Sequence, residues 1–326
     1  MTIYLDAMGG DNAPVEIIKG AVDAVREYGI EVTLIGDEQI IENVFTNRKL
    51  SHEGISIINA TEIISMNEEP VAAVRKKKDS PMVKGALLVK GTLDSVFVSA
   101  GSTGALLSSA LLYTGRIKGV QRPALCTVVN VNKPIAILDN GANADCKAEY
   151  FVQFAQMGCA YFTAVTGIES PKVGLLNIGT EDIKGNALYK EAHNLLKECP
   201  NINFIGNVEG NNVLDSEADV IVCDGFTGNV MLKTIEGTFK TTLGVIKDVF
   251  KKDFFTKLSA LMVKNALSEK KAMLDPKAYG GVPLLGVNGT VIKAHGNSDA
   301  YAIKNALKQA NTLLKNDVLS KITKNL

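Results

Sequence analysis

From its start to about residue 225 the chain repeats one rhythm: a short β-branched run, a cluster of Gly, Asp, Asn or Ser, then a stretch of helical period. Strands joined through helices pair in parallel, and the crossover has one hand, so this rhythm predicts an open, mostly parallel α/β sheet with helices on both faces. The strand candidates are Ile3 to Asp6, Glu31 to Ile35, Ile55 to Asn59, Ser95 to Ser99, Ile135 to Leu138, Val173 to Asn177, Asn203 to Ile205 and Val220 to Cys223. Between them Pro14 to Tyr28, Glu149 to Met157 and Leu188 to Leu196 read as helices. In such a sheet every polar cluster follows the carboxyl end of a strand. The clusters are therefore expected on one edge, converging on one cleft.

After Gly225 the rhythm stops. Residues 226 to about 270 read as one long helical stretch, with Phe250, Phe254, Leu258, Leu261 and Met262 at spacings of three and four. The chain then returns through Gly280 to Gly286, a strand at Thr290 to Lys293 and a final helix. The whole of 1–326 is expected to form one α/β domain, with 226–275 as a projecting amphipathic segment within it.

Composition removes several function classes. The 35 Lys+Arg balance 35 Asp+Glu, so there is no basic excess to neutralise the phosphates of a nucleic acid. Five scattered cysteines (Cys126, Cys146, Cys159, Cys199, Cys223), without a C-x-x-C pair, argue for reduced thiols and against a zinc site or disulfide framework. Three dispersed histidines offer no metal cage. Met1 runs directly into a strand, and no apolar run approaches a membrane span, which predicts a protein neither exported nor integral to a membrane.

Six clusters carry the chemistry. In Asp6-Ala7-Met8-Gly9-Gly10-Asp11-Asn12-Ala13-Pro14, adjacent glycines let backbone N–H groups converge on an anion, while two carboxylates suit a site that also handles a proton. In Ser99-Ala100-Gly101-Ser102-Thr103-Gly104-Ala105, Ser102 and Thr103 either cap a helix or donate to phosphate. The others are Asp139-Asn140-Gly141-Ala142-Asn143, the Asn177 to Gly185 loop with its cation Lys184, Asp224-Gly225-Phe226-Thr227-Gly228-Asn229, and His295-Gly296-Asn297-Ser298. Each residue taken singly has a capping or turn-forming explanation. There is no dinucleotide or triphosphate loop, no G-x-S-x-G elbow and no Ser-His or Cys-His pair. One bound ligand attacking another is the chemistry left open.

Taken together and in order, these clusters resemble the PlsX family of phosphate acyltransferases over essentially the whole chain. Ser102 stands where Asn is expected to be common, a departure that keeps a hydrogen-bonding side chain. The resemblance implies a fold similar to phosphotransacetylases and the isocitrate dehydrogenase type, a homodimer, and no cofactor or metal. It also implies transfer of a fatty acyl group from acyl carrier protein to inorganic phosphate, the product feeding a membrane glycerol-3-phosphate acyltransferase in phospholipid synthesis. Asp6, Gly9, Gly10, Asp11, Ser102, Thr103, Gly104, Asp139, Asn140, Gly141 and Asn143 are then the phosphate and substrate contacts. Lys184, Asp224, Asn229 and His295 are the catalytic candidates.

Two locally basic segments fit acidic partners. Phe254, Leu258, Leu261 and Met262, among Lys251, Lys252, Lys257 and Lys264, could lie on an anionic bilayer, making a cytoplasmic protein peripherally membrane-associated; packing in a dimer interface or core is the alternative. Arg75-Lys76-Lys77-Lys78 could dock acyl carrier protein or be a solvated helix end. Rival functions are a phosphotransacetylase acting on short acyl-CoA and a noncatalytic ligand-binding regulator. A metal-dependent dehydrogenase is disfavoured by the absence of clustered carboxylates and of a dinucleotide fingerprint.

Overall fold

Alternation along the strands decides the layers. In β4 (Ser95–Ser99) Val96 and Val98 face one core while Phe97 faces another, and in β9 (Val220–Val222) the outer two residues and Ile221 divide the same way. A sheet buried on both faces needs helices on both, as expected. The computed structural model describes residues 1–273, 277, 280–324 and 326. The last two residues of the proposed 226–275 segment and the side chains of 265–273 thus lie outside the described residues.

One face carries a continuous core under α1 (Val15–Tyr28), α2 (Glu38–Arg48), α6 (Ala148–Thr166), α7 (Ala187–Glu198), α10 (Ala300–Lys315) and α11 (Val318–Lys324). The other face carries two separate cores. One lies under α3 (Pro70–Lys76), α4 (Pro81–Leu88) and α5 (Thr103–Ser109); the second takes Met231 and Leu232 from the start of α8 (Gly225–Lys251). Between α1 and α10 the approach is close enough that a Cβ on Gly20 would stand 2.7 Å from that of Ile303.

The remaining strands are β1 (Thr2–Asp6), β2 (Val32–Gly36), β3 (Ile55–Asn59), β5 (Ala124–Asn130), β6 (Pro134–Leu138), β7 (Lys172–Asn177), β8 (Asn203–Glu209), β10 (Val282–Leu285) and β11 (Thr290–Lys293). They form one eleven-stranded sheet in the order β3-β2-β1-β4-β11-β10-β5-β6-β9-β7-β8. The strands β5 and β10 were not anticipated from sequence: the β10 residues lie inside a run bounded by glycines and carrying Pro283, which reads as a loop.

These two strands overturn the expectation of a single edge. β10 is antiparallel to both β11 and β5, and β5 is antiparallel to β6. The set β3, β2, β1, β4, β11 therefore runs one way and the set β6, β9, β7, β8 the other. Register brings the ends back together. Ile292 pairs with Pro283, the next residue Leu284 with Leu125, and Cys126 with Leu138. The carboxyl ends of β11 and β6 thus reach one transverse row of the sheet from opposite sides, three strand spacings or about 14 Å apart.

The stretch after Gly225 is two helices rather than one. Asp253 ends the first and caps the second: its carboxylate accepts from the Thr256 N–H at 2.9 Å, while its own N–H donates to Thr256 Oγ1 at 3.0 Å. Phe250 therefore belongs to α8, and Phe254, Leu258, Leu261 and Met262 to α9 (Phe254–Met273).

Candidate active site

The first cluster gathers the loops after β1, β4 and β11. Asp6 ends β1, buried, with Oδ1 accepting from the Met8 N–H at 3.0 Å and Oδ2 from Ser99 Oγ at 2.7 Å. Ser99 Oγ accepts in turn from the Gly101 N–H at 3.1 Å. Burial pushes the Asp6 carboxyl above the usual carboxylate range, against the pull of those donors. Gly9 is required by contact: a Cβ there would stand 2.5 Å from Asp6 Oδ2 and 2.8 Å from the Gly101 nitrogen. Gly10, at φ +105°, leaves room for the Gly296 carbonyl, which accepts from the Asp11 N–H at 2.8 Å. Asn12 Nδ2 reaches the carbonyls of Asn297 and Ser298, each at 3.1 Å. Asp11 and His295 face solvent on this cluster.

Ser102 does what its capping reading predicts, accepting from the Ala105 N–H at 3.4 Å. Thr103 and Gly104 follow in the first turn of α5, with Gly104 against the Pro70 ring.

The second cluster follows β6 and β9. Asp139 is fully buried, and its carboxylate accepts from the N–H groups of Leu125 (3.0 Å), Ala142 (3.1 Å) and Asn143 (2.7 Å) and from Asn143 Nδ2 (2.9 Å). Burial still pushes its carboxyl up. Asn140 donates to the Ile137 carbonyl at 2.7 Å, leaving its buried Oδ1 without a partner among the described residues. Asp224 caps α8 through the Thr227 N–H at 2.8 Å and accepts from Thr227 Oγ1 and the Tyr189 hydroxyl. Asn229 stands over Gly141, and Gly228 lies so close to the Asp139 carbonyl that no side chain fits. Beside this cluster opens a cavity of about 530 Å³ lined by Leu111, Arg116, Gln121, Arg122 and Tyr150; the next residue, Pro123, accepts from Asn143 Nδ2 at 2.7 Å.

Lys184 lies on the strand set of the second cluster, next to β9. It follows β7, is 45% exposed and pairs with Glu181 at 3.8 Å. The sequence reading missed a different cation, Lys293, which ends β11 and is only 8% exposed. In sequence it is a lysine closing an apolar strand, between Ile292 and Ala294, and its burial comes from pairing with Ser99.

Nothing in the second cluster is an activated nucleophile. Burial pushes the Cys146 thiol up to about 12 and holds Cys126 and Cys223 well above the usual thiol range. Of the basic run, Lys77 is tied to Glu68 and the Ile63 carbonyl and Lys78 to Tyr113, which leaves Arg75 and Lys76 facing solvent. No helix among the described residues is long and apolar enough to cross a membrane.

A family described as "Fatty acid synthesis protein" matches residues 1–321. Proteins named "Phosphate acyltransferase" from Clostridium perfringens (strain SM101) and Dictyoglomus turgidum are each 47% identical over 328 aligned residues. These cover all of this chain and 97% and 98% of those proteins. A crystal structure of a phosphotransacetylase from Streptococcus pyogenes superposes with a TM-score of 0.65 at 19% identity, covering 97% of this chain and 94% of that one, a likeness of fold.

Proposed function

The chain belongs to the PlsX family of phosphate acyltransferases and is a transferase that moves acyl groups to phosphate; we propose that its donor is the fatty acyl thioester of acyl carrier protein. An oxygen of hydrogen phosphate attacks the thioester carbonyl, forming the C–O bond. The tetrahedral oxyanion collapses, the C–S bond breaks with its electron pair on sulfur, and the proton of hydrogen phosphate ends on the thiol. Acyl phosphate and free carrier thiol result.

The observation that supports direct attack is the joining of three glycine-bearing loops around Gly9, Gly10, Gly101 and Gly296, while burial raises the thiols of Cys146 and Cys223 near the second cluster. In this reading Gly9, Gly10, Thr103 and Gly104 face phosphate and oxyanion, and His295 handles the leaving thiol. The donor's arm enters by the arginine-lined cavity past Asp224, Asn229 and Asn140, while Asp139 holds their loop. Lys184, on the loop after β7 next to β9, is placed on the donor side with Asp224 and Asn229.

The product, a reactive mixed anhydride with a fatty chain, is proposed to pass to a membrane glycerol-3-phosphate acyltransferase for phospholipid synthesis. The segment 226–275 is proposed as the projecting element of a homodimer that rests on the inner membrane surface. Phe254, Phe255, Leu261 and Met262 support this, being 74%, 78%, 69% and 85% exposed among lysines.

The test is incubation with palmitoyl acyl carrier protein and phosphate, trapping acyl phosphate with hydroxylamine. Palmitoyl hydroxamate is expected. Turnover of acetyl-CoA alone would instead make the protein a short-chain phosphotransacetylase, and phosphate binding without hydroxamate would make it a regulator. For the membrane, a Leu258→Glu, Leu261→Glu variant that stays dimeric is expected to stop floating with anionic liposomes; unchanged flotation rejects that contact.

A further inference from the structure

A phosphate dianion held near Asp6 and Asp11 would need a positive group there, and Lys184 is on the other strand set. Lys293 ends β11 in the same row as Ser99 of β4, with which it pairs. Its ammonium donates to the Ala100 carbonyl at 3.5 Å and to the Ala294 carbonyl, and its third N–H has no partner among the described residues. The Ala100 carbonyl is also what a Cβ would meet at 3.4 Å on Gly10 and at 3.9 Å on Gly296. One carbonyl therefore lies between the ammonium and the two glycines where the loops join.

The charge has no protein counter-ion in direct contact. Asp6 is engaged by Ser99 and Met8, and no ion pair joins Lys293 to Asp6 or Asp11 among the described residues. A buried ammonium with a free donor and no paired carboxylate is costly in a folded protein unless something else meets it.

We propose that Lys293 is the cation of the phosphate subsite, its free N–H and charge holding inorganic phosphate over the Gly10–Gly296 junction. This rests on the reading that phosphate is the acyl acceptor. Burial lowers the ammonium to about 8, so phosphate binding keeps it protonated. Of the surrounding elements, β1 and its loop bring Asp6 and Asp11 to it, β4 and β10 bring no charged group, and α10 turns Lys304 and Lys308 toward Tyr28.

The test compares wild type with Lys293→Met, varying phosphate and acyl carrier protein donor separately. The variant is expected to raise the KM for phosphate about 30-fold or more while the donor's KM stays within about twofold. An unchanged phosphate KM, or an equal rise in both, overturns the assignment. Should Lys293→Met fail to fold, wild-type protein labelled at lysine ¹³Cε decides. One signal titrating near 8 is expected to shift its midpoint upward with added phosphate, and no phosphate-sensitive lysine overturns the proposal. The hydroxylamine assay on wild type judges the acceptor reading separately: a phosphate-linked lysine without acyl phosphate would sink that reading and leave the subsite standing.

Discussion

The two clusters that meet at the middle row differ in how their carboxylates are satisfied. Asp139 accepts four N–H groups, three from the backbone, and holds its own loop, the start of β5 and, through Asn143, the start of α8. Asp6 is held by the Ser99 hydroxyl and the N–H groups of Met8 and Gly9, and lies in the field of a buried ammonium that it does not touch. A carboxylate saturated by backbone donors is an architectural part, fixed in position. One with a switchable hydroxyl partner and a nearby unpaired cation can respond to a ligand. The similarity of the two loops in sequence conceals this division.

The division breaks most sharply at the carboxylates themselves. Asp139→Asn turns an NH₂ toward N–H donors, and is expected to cost about 3 kcal/mol or more of unfolding free energy in urea denaturation. Asp6→Asn is expected to cost about 1 kcal/mol, because Ser99 Oγ can rotate to accept, yet to lower kcat/KM for phosphate about 100-fold. Equal stability losses would erase the distinction. The glycines give the next contrast. Gly9→Ala drives a methyl onto Asp6 and the Gly101 nitrogen and should cut kcat/KM about tenfold or more. Gly141→Ala, at φ +122° with the nearest atoms 3.6 Å away, should cost about 1–2 kcal/mol of stability through backbone strain.

Another contrast is read against pH. Lys293 has a folded pKa lowered to about 8, so its deprotonated form is the one folding favours. Wild type carries the burial cost of the charge below that pH and loses it as pH rises toward the ordinary lysine value. The stability of wild type relative to Lys293→Met should therefore increase from pH 7 to pH 10, and a flat difference would deny the lysine its depressed titration. Smallest of all, Ser102→Ala removes a cap with a long bond and should cost about 1 kcal/mol, with kcat changed less than about twofold.

Much of this was legible before any coordinates. The Val and Ile runs predicted the strands of both parallel sets, and the glycine and Asp-Asn clusters fell at their carboxyl ends because that is where crossovers leave polar turns. What could not be seen was direction. Nothing local to Val282–Leu285 says that it will lie between β11 and β5, since its partners are supplied by pairing with distant segments rather than by its own residues. The same gap hid Lys293: read along the chain it is a lysine before a turn, and only sheet pairing beside Ser99 buries it. Lys184 shows the same gap from the other side. Proximity to glycines in sequence suggested a shared pocket, but strand order sent its loop to the other set.

The position of β10 and β11 also bears on how the protein is made. These strands occupy the centre of the sheet and come after the other described strands in the sequence, so the two halves cannot be joined until β10 and β11 have been made. The bond from Lys293 to Ala100 spans 193 residues, a separation of the kind that slows folding. Until then the nascent protein is two half-sheets with open inner edges at β4 and β5, dependent on some means of keeping those edges apart from other chains.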